Sequence, residues 1–469
     1  MAHGAIRTPK NDAAAPRHSQ SFNRNEATIP MELNSRRAVG RLVTLLGFAF
    51  IAAMTLTPQP GPPSYSPSLC IICGDAAVQD IILNVILFVP LGFGMRLAGL
   101  GRRRALIIAA CTTITVELLQ MHIIAGRDSS LGDVITNTMG GALGVYFADA
   151  WPYWIQPSAR RARALTWAAA AIWFAISVVT VWGLQRSLPK SQMWGRWQPE
   201  FMHMESFRGK VLTAEAAGDA FPPGGSGGDT AFRARLLSDS VLVRATVIPG
   251  GQTQRVAPIL DEADPLKSEV FLLGQRGRAL EFSMRMNAAR AHVRGPVIKL
   301  EDVFPADRPT GSAQDTIQLT GGIVHGALVV GATSSGGVTR TRRVALTPGL
   351  GWSFLIPWGY AMGAETPLLS MLWLGGLLVP IGYWAARGRH VAEPIVAIGV
   401  AALLGLVVAP IVMHGSPAGW LEWAGSALGV ATGLMVGRLG TLDVGTSRVH
   451  AMDTFARTGA EQPVPTRMD

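Results

Sequence analysis

The sequence predicts an α-helical polytopic membrane bundle of about eight transmembrane helices, plus an all-β sandwich domain on the extracytoplasmic side. Three observations predict it. The chain is 49% apolar and only 15% charged, and several uninterrupted apolar runs approach the roughly 20 residues that cross a bilayer. Arginines recur in alternate short loops. Between 190 and 350 the long runs give way to short segments in which apolar and polar residues alternate.

Taken in order, the spans are expected at about 42–57, 79–97, 105–124, 131–149, 164–184, 366–386, 394–413 and 418–437. Residues 1–35 are polar and without periodicity, so a disordered cytoplasmic N-terminus is expected. It lacks the apolar core of a signal peptide. Met31 is a second candidate start, because Arg36, Arg37 and Arg41 and the first span follow it at once. That span reads as an uncleaved anchor.

The net charge of +10 is distributed by loop. Arg96, Arg102, Arg103 and Arg104 follow the second span, and Arg160, Arg161 and Arg163 follow the fourth. Arg387 and Arg389 follow the sixth, and Arg438 the eighth. Lys and Arg mark cytoplasmic loops. Both termini are then cytoplasmic and residues 188–365 extracytoplasmic. The basic charge reports orientation, and no nucleic acid partner is expected.

Five helices over 36–187 thus precede the insert at 188–350, and three helices over 351–438 follow it. The insert carries VLVRATVIP at 241–249, EVFLLGQ at 269–275, ALEFSMRM at 279–286, VIKLEDV at 297–303, TIQLTGG at 316–322 and GALVVGA at 326–332. Gly, Pro and Asp clusters separate these segments, the pattern of a sandwich. Such a domain is large enough to fold alone. Trp352, Trp358 and Tyr360 then fit an interfacial aromatic belt, and 439–469 reads as a disordered cytoplasmic tail.

Cys70 and Cys73 form C-I-I-C in the first outer loop, where disulfides persist. A local disulfide and two unpaired thiols are both open readings. A metal site there would need two more ligands, and neither metal nor cofactor is expected. Cys111 reads as packing.

Chemistry concentrates in 117–144. Glu117 and Gln120 share a helix face at i, i+3, Asp133 and Asn137 lie at i, i+4, and Asp80 and Asn84 repeat that spacing in the second span. Arg127 and Asp128 occupy the turn between spans three and four. At 1.5 Å per residue these groups reach one depth, roughly 5–10 Å below the outer surface. Polar groups inside a span usually face a protein interior or a water-filled cavity. The bland alternatives are interhelical hydrogen bonds for Asn84, Gln120 and Asn137, an ion pair of Glu117 with Arg127, and helix capping by Asp128 and Asp133. The functional alternatives are general acid/base work by Glu117 or Asp133, proton coupling, or binding of a cationic or sugar head group. There is also an internal echo. TNTMGGALGV at 136–145 resembles LEWAGSALGV at 421–430, pairing Asn137 with Glu422, Gly140 with Gly425 and Gly144 with Gly429.

DIILNVILFVPLGFGMRL and VELLQMHIIAGRDSSLGDVITNTMGGALG resemble the VanZ-like family over about residues 40–150. Asn84, Phe88, Pro90 and Gly92 match its first motif. Glu117 and Gln120 match the second, and Arg127, Asp133, Asn137, Gly140, Gly141 and Gly144 the third. Ser129 and Ser130 stand where many members carry a bulkier residue and another Asp, which leaves the role of Asp128 open. Founding members of the family are associated with low-level resistance to teicoplanin, a glycopeptide acting on the cell wall. The resemblance implies a cell-envelope protein and supplies no mechanism. The insert resembles, less specifically, concanavalin-like or laminin-G sandwiches, which often bind glycans. It has neither Trp nor Tyr between Trp197 and Trp352, and sugar faces rely on aromatic stacking, so glycan reading by this domain is the weaker expectation.

The function expected is binding, or modulating access to, an envelope component: a membrane lipid, a cell-envelope glycan or a lipid-linked precursor. The alternatives are an outer-leaflet enzyme acting on a lipid head group with carboxylate acid/base residues, and a proton-coupled carrier. No Ser-His-Asp arrangement, phosphate loop or metal motif specifies a chemistry.

Overall fold

The computed structural model describes residues 29–58, 71–72, 74–127, 129–201, 204–223, 229–264, 268–306, 315–356, 360–388 and 392–459. Cys70, Cys73, Asp128 and Trp358 lie outside them, and so does the disulfide reading. Side chains of 29–33 and 440–459 are likewise outside the description.

The first helices are α1 (Ile29–Thr55), α2 (Ala77–Leu97), α3 (Arg102–His122), α4 (Leu131–Asp149), the short α5 (Trp151–Ile155) and α6 (Ala159–Gly183). The last are α9 (Thr366–Ala386), α10 (Ala392–Leu403), α11 (Ala409–Val412) and α12 (Trp420–Gly459), with one π-helical turn at 404–408 joining α10 to α11. Among the described residues, six helical stretches are long and apolar enough to cross a membrane. Helices α4 and α12 stand where the fourth and eighth spans were expected, but they are not among the six. Thr, Asn and Gly dilute α4, and small residues dilute α12. Two boundaries differ from expectation. Helix begins at Ile29, inside the segment expected to be disordered, and α12 continues through Gly459, inside the expected disordered tail.

Two six-stranded sheets lie between α6 and α9. The strands are β1 (Trp194–Trp197), β2 (Lys210–Ala216), β3 (Asp219–Ala220), β4 (Ser240–Ile248), β5 (Thr253–Ala263), β6 (Glu269–Gly277), β7 (Ala279–Met284), β8 (Val297–Leu300), β9 (Ile317–Val324), β10 (Ala327–Ser334), β11 (Thr339–Ala345) and β12 (Ala361–Met362). Short helices α7 (Thr230–Leu236) and α8 (Asn287–Arg290) interrupt them. One sheet runs β1-β5-β6-β7-β8-β12 and the other β11-β10-β9-β4-β2-β3, antiparallel except for the parallel β8–β12 pair. Neither sheet closes on itself. Their apolar faces share one core that includes Val243, Leu273, Phe282, Leu319 and Ile323. The Phe282 ring packs directly onto Gly321, where any side chain would collide with it. The core extends past 350: Leu350, Trp352 and Met362 are buried in it. Trp352 is therefore not in an interfacial belt; it is 6% exposed and its Nε1 donates to Ser370 Oγ at 3.1 Å.

The helix contacts are most extensive for α2 with α4 and for α9 with α12, and these two pairs are built alike. A methyl added to Gly140 would sit 2.3 Å from the Val85 carbonyl oxygen, and one on Gly144 2.1 Å from that of Val89. In the second pair a methyl on Gly429 would sit 2.1 Å from the Gly375 carbonyl oxygen, and one on Gly433 2.1 Å from that of Val379. Gly92 faces Gly141 as Gly382 faces Val430. Val89-Pro90-Leu91-Gly92 thus superposes in role on Val379-Pro380-Ile381-Gly382. The internal echo is reproduced in the packing, but one helical turn away from the sequence alignment. Asp133, not Asn137, is the counterpart of Glu422, and each is the third residue of its helix. Small residues four apart let backbones touch and replace hydrophobic burial as the source of helix affinity in lipid.

Candidate functional site

The N-terminal ends of α2 and α4 and the C-terminal end of α3 meet beneath the two-sheet domain. Ser130 is the N-cap of α4, and its Oγ accepts from the Asp133 N–H at 3.3 Å. In a capping box the acidic residue three positions on would reach back to the cap's own N–H. Here Glu117 of α3 takes that donor: Ser130 N–H donates to Glu117 Oε2 at 2.9 Å. Asp133 is thereby free to face α2, where Asn84 Nδ2 donates to its Oδ1 at 2.7 Å. One turn before Asn84, Asp80 is exposed, and its charge acts on Asp133 and on Arg294 of the domain. Asp133 in turn acts on the buried Glu117. A chain of three carboxylates, Asp80, Asp133 and Glu117, therefore crosses this end of the bundle.

The other expected members go elsewhere. Gln120 is buried on the Glu117 face, but its Nε2 donates to the Thr55 carbonyl of α1 at 2.9 Å. Arg127 donates to the carbonyls of Met54 at 2.6 Å and Thr57 at 3.4 Å, tying the α3–α4 turn to the end of α1. Asn137 lies deeper. Its Nδ2 donates to Thr113 Oγ1 at 2.9 Å, and its buried Oδ1 has no partner among the described residues. Thr113 and Ser130 were not singled out as partners by sequence reasoning; a Thr one turn before Glu117 carried no motif signal.

Gln79 was missed as well. Its Nε2 donates to the Ile356 carbonyl at 2.8 Å, its Oε1 accepts from Arg294 N–H at 3.1 Å, and the N–H of Val78 donates to the His292 carbonyl at 3.2 Å. The first turn of α2 is capped by the two-sheet domain, which places the carboxylate chain at the junction of domain and bundle. At the opposite end, Asp149 accepts from Arg96 and Arg102, each at 2.6 Å. Two of the arginines read as orientation signals thus also hold α2, α3 and α4 together.

The carboxylates offer acceptors to ligand hydroxyls or an ammonium, and Asn137 Oδ1 offers one more. No curated protein and no solved structure matches the chain. The VanZ/LLP1 family model matches residues 18–152, a stretch that contains the whole carboxylate chain. Over those residues the amino-terminal helical part of this chain is similar to the VanZ/LLP1 family.

Proposed function

We propose that the chain is a cell-envelope membrane protein whose VanZ-family unit binds, or modulates access to, a lipid or lipid-linked glycan component at its outer face. The observation that carries this reading is the convergence of Asn84, Glu117 and Asp133 from three helices at one end of the bundle. Carboxylates in a membrane interior are costly unless they serve a ligand or a partner. The two-sheet domain covers that same end, where it can restrict access. In this reading α4 and α12 complete eight spans, both termini are cytoplasmic and 188–365 is extracytoplasmic. The arginine pattern supports that orientation. The glycopeptide-resistance association of the family enters as part of the proposal, with teicoplanin susceptibility as its assay.

The test uses Glu117→Gln and Asp133→Asn. Both amides keep an oxygen that can accept from Ser130 N–H or Asn84, so the helix contacts survive while the charge is lost. Loss of the envelope phenotype at unchanged protein level in the membrane is the expected outcome. A fall in abundance in step with the phenotype would assign the cluster to structure, and full activity of both variants would remove it from the function.

A further inference from the structure

The α9–α12 pair carries a cavity of its own, in the same place relative to its helices as the Asp133 cluster on α2–α4. It has a volume of 350 Å³, and its lining includes Arg342, Arg343, Thr347, Ser370, Trp420 and Glu422. Glu422 takes the position of Asp133. Counting from the shared Val-Pro-x-Gly, Ser370 takes the position of Asp80. Where the first helix of the α2–α4 pair carries an acid, α9 carries a serine, and two arginines of the edge strand β11 line the cavity. The same end of the helix pair is built with the opposite charge balance.

We propose that this cavity holds the phosphate of an anionic lipid head group from the leaflet facing the two-sheet domain, with Arg342 and Arg343 as the binding cations. The proposal shares the membrane reading of the chain but does not depend on the Glu117–Asp133 cluster.

The carboxylate on the cavity floor is committed within the chain. Glu422 Oε1 accepts from Thr347 Oγ1 at 2.5 Å, and Oε2 accepts from Gly419 N–H at 2.9 Å. It ties the start of α12 to the segment entering α9. The arginines have no carboxylate partner among the described residues. Arg343 donates to the Val324 carbonyl at 3.2 Å. Arg340, on the same strand, is occupied by the carbonyls of Glu301 and Asp302. The first turns of α9 and α12 also line the cavity through Thr366, Pro367, Trp420 and Leu421. The positive ends of these two helix dipoles favour an anion. Below the cavity an apolar surface continues along α9. Leu368 is 55% exposed and Leu372 58%, and Trp420 at the start of α12 is 77% exposed. Basic groups above an aromatic and an apolar helix face match a phosphate head with acyl chains beneath it. A free phosphate would satisfy the arginines but leave that apolar face unused.

The experiment is native mass spectrometry of the full-length protein in detergent, titrated with phosphatidylglycerol or phosphatidylcholine, with inorganic phosphate as competitor. The wild type should retain phosphatidylglycerol in preference to phosphatidylcholine. Arg342→Gln combined with Arg343→Gln should weaken phosphatidylglycerol binding roughly tenfold or more. Arg340→Gln should leave it unchanged, because Arg340 is held by the Glu301 and Asp302 carbonyls and does not line the cavity. The proposal is overturned by equal retention of the two lipids or by unchanged binding in the double arginine variant. Displacement by low concentrations of inorganic phosphate would also overturn it, by reassigning the cavity to the free anion. The comparison of lipids on the wild type decides the matter even if the double variant fails to fold.

Discussion

At the scale of single residues, the bonds a carboxylate already accepts set what it has left to offer a ligand. Glu422 is saturated from within, whereas Asp133 is freed because Glu117 has taken the Ser130 N–H that a capping acid would use. Ser130→Ala should cost about 0.5–2 kcal/mol as a lost N-cap, measured as a lower Tm in detergent, without changing the charge of the cluster. A third kind of carboxylate lies in the two-sheet domain. Glu262 is fully buried, and neither of its oxygens has a hydrogen-bond partner among the described residues. Burial, reinforced by the neighbouring Asp261, pushes its carboxyl up from 4.5 to about 8. The folded chain therefore binds a proton that the unfolded chain releases between those values. Stability should fall as pH rises from about 4.5 to about 8, by at most about 1.4 kcal/mol per pH unit for one group. Glu262→Gln should flatten that decline, so that its Tm advantage over wild type is larger at pH 8 than at pH 5. A parallel decline in both proteins would show that other groups govern the pH dependence. Of these residues, Glu117, Asp133 and Asn84 were legible in the sequence, because an acid or amide stands out in an apolar run. Glu262 was not, because in a strand of a two-sheet domain an acid reads as solvent-facing. Only the two-sided cover of β5 makes it buried.

At the scale of elements, glycine spacing decides which helices touch. Gly144 and Gly433 occupy matching places, each bringing its backbone against a carbonyl of the partner helix. A leucine at either position must force the pair apart, costing about 1–3 kcal/mol or more as overpacking. Gly433→Leu should disturb the α9–α12 cavity and its lipid retention while sparing phenotypes carried by Glu117 and Asp133. Gly144→Leu should do the reverse. Equal effects of both would mean that the two pairs are not separable units. Six of the strands were legible from alternation and appear within a few residues of their expected limits. β5 and β11 were not, for opposite reasons. β5 carries Pro258, Asp261 and Glu262, which break an apolar alternation although every residue of 257–263 is buried. β11, TRTRRVA, is an edge strand with most of its side chains exposed, so it has little apolar signal to read. The helix repeat was legible only faintly, because small-residue spacing of four matches itself at any shift of one turn; the carbonyl contacts fix the register.

At the scale of the whole molecule, the domain and the bundle are less separable than the sequence implied. The shift from long apolar runs to short alternating ones placed the boundary near 350, and a fragment covering 190–350 was expected to fold alone. The structure places Leu184, Leu350, Trp352 and Met362 in the domain's core, and β12 extends one sheet beyond β8. Two further ties anchor it: Asn287 donates to the Trp182 carbonyl at 3.2 Å, and Gln79 holds Ile356 and Arg294 from α2. A fragment ending at 350 loses two large buried side chains, Trp352 and Met362, each worth about 1.5–3 kcal/mol of burial, against a whole-domain stability of about 5–15 kcal/mol. Its core edge is then open to water. The fragment 190–350 should therefore be poorly soluble or unfold well below a fragment that runs from 184 to 364, as read by circular dichroism melts of the two. Orientation is tested in the same region. A reporter active only outside the cytoplasm, fused after Leu188, should be active, because the arginine loops lie at the bundle end that holds Asp149 and the domain lies at the other. If that reporter is silent while one fused after Arg163 is active, the carboxylate chain faces the cytoplasm, and an outer-leaflet ligand is ruled out for both polar clusters.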